Sequence, residues 1–120
     1  MLRLGLVLAI ACVLGADAPA RAESTANMPD HVLQTINRHG SAIRRCYDRG
    51  VRTSGRLGGK LVVRFRVGKS GQAQPVTIVA EKSTLHHGAV ERCVKRVFRS
   101  MRFRRGTRAT WYSSPIVFGA

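Results

Sequence analysis

Gly58-Gly-Lys-Leu-Val-Val-Arg-Phe-Arg-Val-Gly-Lys-Ser-Gly-Gln72 is the stretch from which the rest of the chain can be read. Leu61, Val63, Phe65 and Val67 alternate with Lys60, Val62, Arg64 and Arg66. That is the period of a strand with one buried face. Gly68-Lys69-Ser70-Gly71 follows as a turn. Val76, Ile78 and Ala80 then alternate with Thr77, Val79 and Glu81 as the return strand of a hairpin. Pro75 falls at the start of that strand, where a missing N–H does least harm.

Before the hairpin, Val32, Leu33, Ile36, Ile43, Cys46, Tyr47 and Val51 recur at helical spacing. Pro29 suits the first helical position, and Thr53-Ser54-Gly55 ends the helix. Gly40 and Gly50 weaken it by about 1 kcal/mol each against Ala. After the hairpin, Ser83 or Thr84 is the expected N-cap of a second helix. Its apolar stripe is Ala89, Val90, Cys93, Val94, Val97 and Met101, with Phe98 beside it, and Arg104-Arg105-Gly106 stops it. A last strand spans about Ala109 to Phe118, with Tyr112, Ser114, Ile116 and Phe118 on one face. Pro115 inside it demands an edge or bulged position. The order is α-β-β-α-β.

The first 22 residues read as something other than fold. A short basic start, an apolar run from Leu4 to Leu14 and the small-x-small site Ala20-Arg21-Ala22 match a secretory signal peptide cut before Glu23. The run is too short for a stable spanning helix, which needs about 20 residues. A lipoprotein through Cys12 is the minor alternative, because Ala9-Ile10-Ala11-Cys12 resembles a lipobox. The expected organisation is a signal peptide over 1–22, a disordered lead over 23–28, and one α+β domain over 29–120. The mature chain then has no transmembrane helix and resides in the periplasm.

The 120 residues carry 21 Lys and Arg against 6 Asp and Glu, a net charge of +15. Removing residues 1–22 leaves 19 against 5, or +14. Such a balance calls for anionic surroundings or partners. Export argues against nucleic acid and leaves acidic proteins, lipid phosphates, lipopolysaccharide and peptidoglycan.

Loss of Cys12 with the leader leaves Cys46 and Cys93, an even pair in a compartment that permits disulfides. Both lie on apolar helical faces, which suits an inter-helix disulfide; two buried, reduced cysteines are the alternative. Arg92, Arg96, Arg99, Arg102, Arg104 and Arg105 crowd the second helix and its exit as candidates for anion binding. Part of that cluster is what a helix C-terminus and a solvated face need anyway. His86 and His87 are adjacent, so on a helix they diverge and do not chelate as a pair. No spaced pair of acids, phosphate loop, nucleophile elbow or zinc spacing appears, so neither cofactor nor metal nor catalytic residue is expected.

Several of these segments together resemble a known family. Ile43-Arg-Arg-Cys-Tyr-Asp48 looks like the I-x-x-C-Y-E of the AgmX/PglI C-terminal family, a branch of the TonB C-terminal-like domains. The likeness runs on through GGKLVVRFRVGKSGQ and VERCVKRVFRSMRF to the closing SSPIVF. It covers roughly Ile36 to Phe118. It implies a three-stranded antiparallel sheet with two helices on one face, in an envelope protein. It also implies capture of a partner segment by strand addition to the last strand, here Thr110, Trp111, Tyr112, Ser113 and Ser114. The chain departs from a TonB energy transducer in having neither a Pro-rich span nor Pro after Phe103, where Arg104 stands. The expectation is therefore a periplasmic protein-interaction module, not an enzyme. The alternatives are an arginine-rich docking protein for anionic envelope polymers, or a component of a TonB-type energy-transducing or motility complex.

Overall fold

A computed structural model describes residues 28–119. The leader, the Cys12 alternative and the cut before Glu23 lie outside the described residues. In chain order the elements are α1 (Asp30–Arg38), α2 (Gly40–Ser54), β1 (Gly59–Val67), β2 (Ala73–Ile78), a 3-10 turn (Ala80–Lys82), α3 (Gly88–Ser100) and β3 (Thr110–Phe118). The three strands form one antiparallel sheet in the order β2-β1-β3, with the helices on one face. The fold is α+β, as the sequence indicates.

The alternation in β1 sorts its side chains as expected except at Val62, which belongs to the outer face and is nonetheless buried, at 7%. Leu61, Val63 and Phe65 are fully buried, while Arg64 and Arg66 are exposed on the other face. Phe65 is the centre of the core. Phe98 lies 5.2 Å from its ring, Phe103 5.6 Å and Tyr112 5.8 Å, so α3, its exit and β3 converge on one residue of β1. Burying an aromatic of this size contributes about 2–3 kcal/mol. Phe98 is thus the middle of the α3 stripe rather than beside it, with Val90 and Val94. On the α2 side, Tyr47 stacks on Phe118 at 5.0 Å, and its hydroxyl donates to the Leu57 carbonyl. Met28, which the sequence reading assigns to the lead, is buried against this core.

Four local details differ from the sequence expectation. The first helix is two helices, because the chain bends at His39, whose Nδ1–H donates to the Thr35 carbonyl at 2.9 Å. The return strand ends at Ile78, and Ala80–Lys82 forms the 3-10 turn. Pro75 lies inside β2, not at its start: Gln74 and Pro75 together oppose Arg66 at a bulge, which removes the need for a ladder N–H. The N-cap of α3 is His87, not Ser83 or Thr84. Its Nδ1 accepts from the Val90 N–H, while its own N–H donates to Glu91 Oε2 at 3.0 Å. Ser83 and Thr84 serve the sheet instead. The Val62 N–H donates to Ser83 Oγ at 2.9 Å and the Lys60 N–H to Thr84 Oγ1 at 2.8 Å. Short hydroxyls are equally good at either task, and the sequence does not separate the two uses.

Gly71 joins the hairpin turn to the exit of α3. Its φ is +89°, and a Cβ there would stand 2.2 Å from the Phe103 carbonyl oxygen. The Phe103 N–H donates to the Gly71 carbonyl at 2.8 Å, so the two backbones touch where only glycine fits.

Candidate functional site: an open sheet edge and an arginine-rimmed groove

β1 is central, and β3 is one edge of the sheet along its nine residues. Which of its backbone groups face solvent follows from β1. The Val62 N–H goes to Ser83 and its C=O accepts from Val79; the Lys60 C=O accepts from Thr84 and Leu85. Even-numbered residues of β1 therefore point toward β2, and odd-numbered ones toward β3. The register pairs Val63 with Ser114, Phe65 with Tyr112 and Val67 with Thr110. Thr110, Tyr112 and Ser114 accordingly turn their backbone groups inward to β1. Trp111, Ser113 and Val117 turn theirs outward, as Pro115 does with its C=O. Pro115 thus occupies a position whose N–H would have faced solvent. Among the described residues none is hydrogen-bonded to the outward groups of Trp111 and Ser113. Of the five edge residues read from the sequence, two can offer a ladder to a partner.

The side chains on that face are distinctive. Trp111 and Val117 are the exposed large hydrophobics of the described residues, at 43% and 42%. The Arg64 guanidinium covers the Trp111 ring, 3.9 Å from its centroid. Lys60 and Arg66 share this outer face. The opposite edge is less available, since β2 is bulged at Pro75 and its approach is bridged at Gln72 by Arg102.

The helical layer carries the second feature. Cys46 of α2 and Cys93 of α3 form a disulfide, with Cα atoms 5.6 Å apart. It pins the two helices along a groove of two adjoining depressions, about 310 and 280 Å³. Both depressions are lined by Cys46, Arg49, Cys93 and Arg96; Arg45 closes one and Arg92 the other. Arg92 and Arg96 therefore lie together with Arg45 and Arg49 of the other helix. Arg104 and Arg105 line a separate depression beside α1 and the start of β3, together with Arg108. Arg99 and Arg102 are exposed and line neither groove depression.

A signal for Arg45 and Arg49 was present in the chain. Each cysteine sits in the same pentapeptide, Arg-Cys-x-x-Arg, at 45–49 and again at 92–96. Joining the cysteines necessarily gathers four guanidinium groups. Among the described residues the ion pair is Arg44 with Asp48 at 3.1 Å, and no carboxylate pairs with these four. No group of three His, Cys, Asp or Glu side chains converges among the described residues, and no helix there is long and apolar enough to cross a membrane.

This chain is similar in structure to a TonB C-terminal domain. The solved structure is the NMR solution structure of the Helicobacter pylori TonB-CTD, at 15% sequence identity and a TM-score of 0.46, covering 82% of this chain and 95% of that one. No family model matches the chain, and no curated protein does.

Proposed function

We propose that this protein is an exported envelope module that captures an extended segment of another protein by adding it as a fourth strand along β3. The observation that carries the reading is the outward ladder of Trp111 and Ser113, unpartnered among the described residues, on a long edge strand. Such an edge binds through main-chain hydrogen bonds and reads alternate side chains of the added strand. Trp111 supplies an aromatic anchor, and Lys60, Arg64 and Arg66 favour acidic residues on the partner. The apolar Leu4–Leu14 run, the site before Glu23 and the Cys46–Cys93 disulfide support a periplasmic location. The resemblance to the AgmX/PglI C-terminal family agrees with an interaction role rather than an enzymatic one.

The test is residue-specific photocross-linking in the native host. A cross-linker at Ser113 is expected to trap a discrete envelope protein, and the same group at Gln74, on β2, is expected to trap none. Equal trapping at both positions defeats the edge reading. N-terminal sequencing of the exported chain checks the compartment: Glu23 is expected, and a lipid-modified Cys12 would place the protein on a membrane instead.

A further inference from the structure

The Arg-Cys-x-x-Arg pair builds a surface that strand addition does not use. We propose that the α2–α3 face is a docking surface for an anionic phospholipid leaflet, with Arg45, Arg49, Arg92 and Arg96 taking lipid phosphates. Arg45 and Arg49 on α2, and Arg92 and Arg96 on α3, each stand four residues apart, a rise of about 6 Å along their helix. They line a groove together with the disulfide, Ala42, Ala89 and Val97. All four are arginine, whose planar fork pairs with phosphate oxygens bidentately. No described carboxylate neutralises them.

The choice of a lipid surface over an acidic protein rests on what this face lacks. Protein interfaces are organised around large buried anchors, aromatic above all. The exposed large hydrophobics, Trp111 and Val117, are on the sheet face, and the apolar lining of the groove offers only small side chains. Four exposed guanidinium groups without a large apolar anchor favour a partner whose anions move to meet them. Lipid headgroups diffuse laterally and do so; a folded protein must have carboxylates already matched. Docking through the helices leaves β3 and the outer sheet face free, so both surfaces can be occupied together.

The experiment is co-sedimentation of the full chain with vesicles of phosphatidylcholine, with or without added phosphatidylglycerol. Neutral vesicles register whatever the apolar Leu4–Leu14 run contributes by itself. The expected result is at least about a hundredfold stronger partitioning onto the anionic vesicles, falling steeply with ionic strength. The variant R45E/R49E/R92E/R96E should lose about a hundredfold. R102E/R104E/R105E/R108E changes the net charge equally but elsewhere, and should lose less than about fivefold. Ser113→Pro, which disables the proposed strand addition, should partition unchanged. Should the quadruple reversal fail to keep its disulfide and circular dichroism spectrum, the milder R45Q/R49Q/R92Q/R96Q set is expected to lose about tenfold. Equal losses in the two reversal variants overturn the proposal. So does an absence of preference for anionic vesicles. Tighter binding of soluble poly-glutamate than of anionic vesicles, at matched charge, would also overturn it, in favour of an acidic protein segment.

Discussion

Pro115 stands directly opposite Val62 across the β1–β3 ladder. Val62 spends both of its backbone groups on the other side, its N–H on Ser83 and its C=O on Val79. The pair therefore exchanges no hydrogen bond, and a residue without an N–H fits there without loss. From this one pairing the parity of the whole edge strand follows.

Neighbouring prolines should then behave oppositely. Ser113→Pro removes an N–H that faces solvent, and it restricts Tyr112 only to the extended conformation Tyr112 already has. It should leave the stability within about 1 kcal/mol while abolishing partner capture. Ser114→Pro removes the N–H directed at Val63 and should cost about 2–3 kcal/mol. Thermal melts of the two variants read this directly, and equal destabilisation would contradict the parity.

The Ser114 hydroxyl is fully buried and has no hydrogen-bond partner among the described residues. Ser114→Ala removes a desolvated polar group at little change in volume, so stability should rise by about 1 kcal/mol, or about 4 °C in Tm. A fall in Tm would show that the hydroxyl is bonded.

The Cys46–Cys93 link closes a loop of 47 residues in sequence separation. Replacing both cysteines by Ala should lower stability by up to about 4 kcal/mol, chiefly by freeing the unfolded chain. Urea unfolding with and without reductant measures the loss. Mass spectrometry of the alkylated, folded protein should find neither thiol modified.

Gly71→Ala combines a positive φ with a Cβ that collides with the Phe103 carbonyl, and should cost about 2–4 kcal/mol. Gly55 also has a positive φ, +78°, but a Cβ there meets nothing within 4 Å. Gly55→Ala should therefore cost about 1–2 kcal/mol, the backbone part alone. If the two variants melt together, the Gly71–Phe103 contact is not rigid.

His87 joins two helices: its Nδ1 caps α3 and its Nε2–H donates to Ser54 Oγ, near the end of α2, at 2.8 Å. His87→Ala should cost about 1 kcal/mol, and His87→Asp should keep most of the cap. A destabilised Asp variant would show that the Ser54 bridge, rather than the cap, is what matters.

Much of this protein is legible in the chain itself. The alternation through Leu61, Val63, Phe65 and Val67 announces a strand with one buried face, because side chains on a pleated backbone repeat every two residues. The stripes through Ile43, Cys46 and Tyr47 and through Val90, Val94 and Phe98 announce helices for the corresponding reason. Pro115 indicates an edge or bulged strand, and two cysteines on apolar helical faces indicate a bridge.

Other features depend on which neighbour a group meets, and local pattern carries no such information. Ser83, Thr84 and His87 can each cap a helix; the tertiary structure gives the task to His87 and sends the two hydroxyls to β1, where β2 has ended and N–H groups need acceptors. Of five edge residues, only the register with β1 selects Trp111 and Ser113 as outward-facing. The six arginines on and after the second helix look like one cluster in sequence. Packing divides them, pairing Arg92 and Arg96 with Arg45 and Arg49 across the disulfide and turning Arg104 and Arg105 toward the start of β3. Composition and periodicity determine a basic α+β chain, since burial of one face per element follows from repeat length alone. The partner of each polar group was decided only when distant segments were brought together, because hydrogen bonds and guanidinium clusters depend on ångström distances that sequence separation does not encode.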